Sequence, residues 1–248
     1  MNWADRSYPE LEPDADSPNR VAILPLGAVE AHGPHLPVGT DVWIAEAMAR
    51  AGRNRLAEEG VPALVLPAIA YAAAPFADGF GGTLSIRPET TRALLLDLAA
   101  AVTRRGVAVL ALANAHFDPA NVAVLRSTVD AVDGAGGLRV VFPDCTRRTL
   151  AGRLGDEFRT GACHAGRYES SILLAERPDL VREKERRALR ERPVSLVEAS
   201  RLGQTSFADA GLDEAYCGDP AAATAAEGRE IVAELGKILA EAVRAALM

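Results

Sequence analysis

Residues 21–41, VAILPLGAVEAHGPHLPVGTD, place a compact apolar run directly before a loop of glycine, proline, histidine and acidic residues. The run at 21–27 is aliphatic and nearly continuous, which is typical of a strand that is buried on both faces of a parallel sheet. Three later runs have the same character: residues 63–72, 107–113 and 138–142. These four segments predict the strands of one mostly parallel sheet.

Helical patterns separate the predicted strands. One helix is predicted from about residue 42 to 59, and a second begins at Pro88 and stops at Gly106. A third spans residues 221–247, where apolar residues share one face. Strands that alternate with helices indicate right-handed crossovers, with helices on both faces of the sheet. The predicted fold class is therefore α/β.

The composition limits the class of protein and its partners. Of 248 residues, 49% are hydrophobic and 25% charged, as in a globular protein. Residues 21–248 are predicted to form one domain, preceded by residues 1–20 as a flexible lead or an arm that docks elsewhere. The net charge of −7 argues against nucleic acid as a partner. Because we find no membrane span, signal peptide or disulfide framework, we expect a cytoplasmic protein.

The loop after the first predicted strand concentrates side chains that bind metals. It carries Glu30, His32, His35 and Asp41, at the strand end where sites form in such folds. Glu30 and His32 lie two positions apart, so an extended backbone directs both to one face. The alternative is that Asp41, or Thr40 before it, only caps the next helix while the histidines are polar loop residues.

A second loop of similar chemistry, NAHFDPAN, follows the strand predicted at residues 107–113. Here His116 and Asp118 again pair an imidazole with an acid two positions away. The two loops together supply two imidazoles and three carboxylates. This donor set suits two divalent ions such as Zn, Mn or Fe better than calcium or copper. Taken alone, the His-x-Asp pair is weak evidence, and a hydrogen-bonded loop histidine explains His116 better than a metal ligand does.

The third segment with reactive side chains is CHAGRYESSILLA, residues 163–175. His164 is a candidate general acid or base at neutral pH. Glu169 is either a functional carboxylate or an acid favoured at a helix start. Cys163 could be a thiol nucleophile, but no third group to orient it is apparent. The glycine-rich residues 78–83 match no phosphate-binding motif and are interpreted as a mobile loop over the site.

With these motifs the chain resembles the creatininase family of metal-dependent amidohydrolases. The resemblance rests on LPLGAVEAHGPHLPVGTD, NAHFDPAN, HAGRYESSILLAERPDLV and GDPAAATAAEG, and it extends from Val21 almost to the C-terminus. It implies a three-layer α/β/α sandwich, usually assembled as a hexamer, with a binuclear site that hydrolyses C–N bonds. Members include creatinine amidohydrolase, a formamidopyrimidine deformylase and the peptidase of the mycofactocin system.

The resemblance also implies a ligand set for the two ions, most readily Zn, with Mn or Fe as alternatives. One ion would be bound by Glu30, Asp41 and His116. The other would be bound by His32, Asp41 and Asp118, so that Asp41 bridges the two.

Several departures from creatininase bear on the substrate. Cys163 occupies a position where creatininase has glutamate, and Ala77 one where many relatives have histidine. The two tryptophans, Trp3 and Trp43, lie away from the positions that line the creatinine pocket. These differences argue against creatinine.

The expected function is hydrolysis of a non-peptide or cyclic amide C–N bond in a small molecule, by a hydroxide that bridges two metal ions. His164 would be the proton donor, and Glu169 would orient it or a ligand. One alternative is a mycofactocin-type peptidase that acts on a modified peptide. Another is an α/β protein that binds a small ligand without hydrolysing it. We expect a homo-oligomer, a hexamer by resemblance, with no nucleic acid or membrane partner.

Overall fold

A parallel sheet forms the centre of the computed structural model, which describes residues 1–12, 20–132 and 137–248. Its strands are β1 (Arg20–Leu26), β2 (Ala63–Val65), β3 (Val107–Asn114) and β4 (Arg139–Val141). They are ordered β2–β1–β3–β4, and every neighbouring pair is parallel. The predicted mostly parallel sheet is confirmed.

The second strand is shorter than the predicted residues 63–72. Regular pairing with β1 ends at Val65, and Pro67 two residues later has no N–H to donate to a ladder. The chain nevertheless continues alongside β1, because Ile69 N–H donates to Pro25 O at 3.0 Å and Gly27 N–H donates to Ile69 O at 3.0 Å. The prediction was correct about the course of this segment and wrong about its length as a strand.

Helices connect and cover the strands. They are α1 (Tyr8–Leu11), α2 (Thr40–Glu58), α3 (Pro88–Thr103), α4 (Pro119–Val132), α5 (Arg148–Ala151), α6 (Asp156–Thr160), α7 (Arg167–Glu176), α8 (Glu183–Ala188), α9 (Leu196–Arg201) and α10 (Ala225–Leu247). Helix α10 begins later than predicted, because Thr224 caps it by accepting the N–H of Glu227. None of the described helices combines the length and apolarity that a membrane crossing requires.

The helices lie in two layers, one on each face of the sheet. Val21 and Ile23 of β1 pack in one apolar cluster with residues of α2, α7 and α10. Ala22 and Leu24, which alternate with them, pack in a second cluster with residues of α3 and α4. This arrangement confirms the three-layer α/β/α sandwich.

Residues 1–12 contact the edge of the sheet. Val65 N–H donates to Met1 O at 3.2 Å, Asn2 forms an isolated parallel bridge with Val65, and Trp3 packs against the cluster under α3 and α4. These contacts are those of a docked arm. Residues 13–19 of the predicted lead lie outside the described residues, and the division into a lead and a single domain stays a prediction.

Candidate metal centre

Glycine at the end of β1 lets the first turn of α2 approach the strand closely. A Cβ atom on Gly27 would lie 2.5 Å from Val42 N and 2.7 Å from Asp41 C, distances that no side chain tolerates. Gly39 is the N-cap residue of α2, and Thr40 Oγ1 donates back to Pro37 O at 2.7 Å. Neither Thr40 nor Asp41 caps the helix, so the Asp41 carboxylate is available to the site.

The first group of candidate ligands joins the loops after β1 and β3. His116 Nε2 donates to Ala73 O at 2.8 Å, so the proton of the neutral ring is on Nε2. The lone pair of Nδ1 then faces two carboxylates, with Glu30 Oε1 at 3.1 Å and Asp41 Oδ2 at 3.0 Å. Atoms of Glu30, Asp41 and His116 all lie within 4.8 Å of one another.

The second group shares Asp41. His32 Nδ1 donates to Glu30 O at 3.0 Å, which leaves the lone pair of Nε2 directed to the site. This Nε2 lies 3.0 Å from Asp41 Oδ1 and 3.5 Å from Glu169 Oε2. Glu169, in the first turn of α7, also accepts the N–H of Ala165 at 2.6 Å. Because each oxygen of Asp41 serves one group, this carboxylate has the geometry of a bridge.

The chemistry of these atoms fits divalent cations. The exposed fraction of each of the five side chains is 3% or less, and Asp41 Oδ2 has no hydrogen-bond donor. Buried lone pairs that face each other are unfavourable unless a cation or a proton lies between them. Imidazole nitrogens mixed with carboxylate oxygens are typical ligands of Zn and Mn. The two groups that share Asp41 contain five candidate ligands: Glu30, His32, Asp41, His116 and Glu169. Atoms of Glu30, His32 and His164 form a further group within the same reach.

The charges within the centre shift the pKa values of its own ligands. Burial disfavours the imidazolium of His32, but the carboxylates of Asp41 and Glu169 outweigh it and raise its pKa to about 10. The pKa of His116 is raised well above its usual value, because Glu30 and Asp41 outweigh the effect of burial. Burial raises the pKa of Glu169 to about 8. In the metal-free protein, protons therefore compensate the clustered carboxylates, and a divalent cation would displace them.

His164 lies beside the centre, as its candidate role requires. Its Nε2 donates to Ala31 O at 2.9 Å, and its Nδ1 lies 3.8 Å from Glu30 Oε1. Burial, and then the neighbouring His32, lower its pKa well below the usual value. His164 is therefore a neutral imidazole whose unprotonated nitrogen faces the site.

Two residues of the predicted loops have other partners. Asp118 accepts the N–H of Ala120 on one carboxylate oxygen and that of Phe76 on the other, and it belongs to neither ligand group. His35 is fully buried and its Nε2 lies 2.8 Å from Ser170 Oγ, away from the carboxylates. The structure thus brings Glu169 to the position in the second group where Asp118 was expected.

The thiol next to His164 is not an activated nucleophile. Burial, and then Cys217, raise the pKa of Cys163 well above its usual value, which suppresses the thiolate that such chemistry needs. The glycine-rich residues 78–83 lie beside the centre, where Thr83 Oγ1 accepts the N–H of Ala31 at 3.1 Å.

Sequence reasoning missed one residue of the surroundings. Phe207, from the segment between α9 and α10, stacks on His164 with ring centroids 4.4 Å apart. This segment shows neither strand nor helix periodicity, and a lone phenylalanine carries no signal that distinguishes it from other apolar residues.

Comparisons with known proteins agree with this fold. The family model named creatininase, described as creatinine amidohydrolase, matches residues 4–243. The chain is 37% identical over 223 residues to a mycofactocin precursor peptide peptidase from Mycobacterium tuberculosis, with 86% of this chain and 80% of the relative covered. It is 26% identical over 201 residues to a creatinine amidohydrolase from Pseudomonas putida, with 71% of each chain covered.

Solved structures show the same fold. A single-substitution mutant of creatininase superposes with a TM-score of 0.73 at 22% identity, covering 98% of this chain and 97% of that one. Other creatininase structures of this fold are described as a Zn–Zn type and as a Mn form. Since the family model spans nearly the whole chain and the mycobacterial relative exceeds 30% identity, this chain belongs to the creatininase family of hydrolases.

Proposed function

We propose that the chain hydrolyses an amide C–N bond at a centre of two divalent ions bridged by Asp41. Glu30 and His116 would complete the ligands of one ion, and His32 and Glu169 those of the other. The observation that carries the proposal is the convergence of two imidazole lone pairs on the two oxygens of one buried carboxylate. We assign Glu169 to the second ion in place of Asp118, which the resemblance implied, because Glu169 lies within reach of both His32 and Asp41.

The residues of the candidate centre would have different roles in the reaction. Bound Zn or Mn ions would supply Lewis-acid activation of water and of the scissile carbonyl. The backbone carbonyls of Ala73 and Glu30 fix the tautomers of His116 and His32, so each presents its lone pair inward. His164 can accept a proton from the attacking water on Nδ1 and deliver it to the departing nitrogen, which contributes typically about 10²–10⁴-fold.

The substrate class that we favour is a peptide. The mycobacterial relatives are named as peptidases of a precursor peptide, and one of them is 37% identical over 86% of this chain, against 26% over 71% for the creatinine amidohydrolase. Trp43 packs against Arg177, and Trp3 lies near the edge of the sheet, so neither lines the centre. A small cyclic amide is the second candidate, because the family includes the amidohydrolase. The homo-oligomer expected from the resemblance stays a prediction.

The test is hydrolysis with and without metal. The protein is depleted of metal with a chelator, dialysed, and then given Zn or Mn before incubation with short peptides, lactams, formamides and creatinine. We expect peptide cleavage that disappears on depletion and returns with metal. Cleavage of lactams alone would favour the second candidate, whereas turnover that survives depletion, or that thiol alkylation abolishes, would contradict the metal mechanism.

A further inference from the structure

The imidazole of His164 lies between two other rings. Its centroid is 4.3 Å from that of His32, at an interplanar angle of 35°, and 4.4 Å from that of Phe207, at 30°. Its Nε2 donates to Ala31 O, so Nδ1 is the nitrogen on the side of Glu30. Two flat faces and one hydrogen bond therefore restrict rotation of the ring about its Cβ–Cγ bond.

Phe207 is itself held in place from several directions. Its side chain is 2% exposed, and its N–H donates to Phe76 O at 2.9 Å. The rings of Phe76 and Phe80 meet it edge-to-face, with centroids 5.9 Å and 6.2 Å away. Leu212 N–H donates to Phe207 O at 2.8 Å. These contacts restrain the Phe207 ring that stacks on His164, and they place it in an apolar cluster of its own.

We propose that Phe207 is a positioning residue, which keeps the His164 imidazole oriented with Nδ1 towards the metal centre. The inference rests on the proposed function, in which Nδ1 moves a proton. A phenyl ring suits this task because its flat face packs on the flat face of a neutral imidazole. It also excludes water from the face of His164 opposite His32.

A positioning role and a purely structural role predict different results. A structural phenylalanine would lower stability when it is shortened, whereas the chemical step of the remaining folded molecules would be unchanged. A positioning phenylalanine governs how often His164 has the productive orientation, so its loss lowers kcat more than it changes KM. An aromatic ring at position 207 should also keep kcat and the orientation of His164, whereas an apolar side chain without a ring should not.

The experiment compares Phe207→Leu, which removes the flat face but stays apolar, with Phe207→Tyr, which keeps a ring. Phe207→Met is a second ring-free variant in case the leucine variant does not fold. Phe142→Leu is the matched control, because it removes a ring from a different apolar cluster, the one under α3 and α4. Metal content and thermal unfolding are measured for every variant loaded with Zn.

The first measurement is independent of activity. The chain has four histidines, so long-range ¹H–¹⁵N spectra resolve the imidazoles, and a His164→Asn variant identifies that of His164. We expect the wild type and Phe207→Tyr to show a single Nε2-protonated ring, with its protons shifted upfield by the stacked phenyl. Phe207→Leu should lose the upfield shift and show mixed tautomers. An unchanged His164 spectrum in that variant would overturn the proposal, whatever the activity.

The second measurement is steady-state kinetics on the substrate found for the wild type. We expect Phe207→Leu to lower kcat about 10- to 100-fold with KM little changed, while Phe207→Tyr and Phe142→Leu stay close to the wild type. Equal losses in Phe207→Leu and Phe142→Leu, or no rescue by tyrosine, would contradict positioning. If the wild type hydrolyses no amide, the proposed function fails, and the spectra alone still decide whether Phe207 orients His164.

Discussion

Asp41 and Asp118 follow neighbouring strands of one sheet, yet their carboxylates have different partners. The oxygens of Asp41 lie 3.0 Å from His32 Nε2 and His116 Nδ1, the ring nitrogens whose lone pairs a cation or a proton can take up. Both oxygens of Asp118 accept backbone N–H groups at the start of α4 and in the segment before α3. Asp41 faces imidazole nitrogens that need a proton or a cation, and Asp118 faces backbone N–H donors.

This contrast determines what each carboxylate can bind. A carboxylate that accepts two N–H groups is satisfied without a cation, whereas one that faces two lone pairs requires a cation or protons. Burial raises the pKa of Asp118. Burial acts on Asp41 in the same direction, but in the metal-free protein the protonated imidazole of His32 outweighs it and holds the pKa of Asp41 well below its usual range. Residue type and position on the sheet are therefore insufficient to identify a ligand.

The largest effect is expected from Asp41→Asn. Loss of the bridge should remove bound metal and lower kcat/KM by about a thousandfold or more, since metal activation supplies several kcal/mol. Mass spectrometric metal analysis and peptide hydrolysis measure the two effects. Asp130→Asn, on the exposed face of α4, is the control and should behave as the wild type. If the Asp41→Asn protein retains both ions, Asp41 is no more a required metal ligand than Asp118, and the contrast between the two carboxylates is wrong.

A smaller loss is expected from Glu169→Gln. The variant should keep the ion held by Glu30, Asp41 and His116 and lose the other, so metal content falls towards one ion per chain. Activity should fall by about a hundredfold, at or above the loss typical for residues that only orient a ligand. Retention of two ions would return Glu169 to the orienting role expected from the sequence.

The pH dependence of stability should differ between the metal-free and loaded protein. The folded-state pKa of His32, about 10 instead of 6.5, gives stability that is present at low pH and lost as the pH rises. Glu169, raised from 4.5 to about 8, acts in the same direction. The free energy of unfolding of the metal-free protein should therefore fall from about pH 4.5 to about pH 10, most steeply between about pH 6.5 and 8 where both groups act, by at most ~1.4 kcal/mol per pH unit for each proton.

Bound metal should reverse this trend, because it requires deprotonated ligands. Urea unfolding at a series of pH values, with and without Zn, measures both curves. The stabilisation by Zn should grow with pH, and parallel curves would show that metal and protons do not compete for these groups.

The smallest effect is expected from Asp118→Asn. An amide can accept one of the two N–H groups but places its own donor near the other, at a cost of about 1–3 kcal/mol. In a chain of this size each kcal/mol lowers Tm by about 2–4 °C. Metal content should stay unchanged. Loss of one ion would identify Asp118 as a ligand and contradict the contrast with Asp41.

The sequence predicted the sheet, both helical layers and the convergence of four polar side chains at the strand ends, because these depend on local patterns. Apolar runs identified the strands, and loops at their carboxyl ends identified Glu30, His32, Asp41 and His116. The length of β2 was wrong because Pro67 interrupts the ladder inside an otherwise apolar run.

Whether Asp118 or Glu169 lies near His32 and Asp41 could not be predicted from sequence, because it depends on distances across the fold. Asp118 lies closer along the chain to His116, but its loop provides N–H donors that satisfy it. Phe207 was missed for the same reason, since it comes from a segment 43 residues beyond His164 with no regular pattern.

Gly27 lets the first turn of α2 pack closely against the end of β1. This residue contributes no functional group, yet the space left by its missing methyl sets how close the helix bearing Asp41 can come to the strand. Any larger residue there would displace the bridging acid while leaving every donor atom chemically intact. A design that transfers the five candidate ligands to another scaffold would therefore also need a glycine at the position equivalent to Gly27.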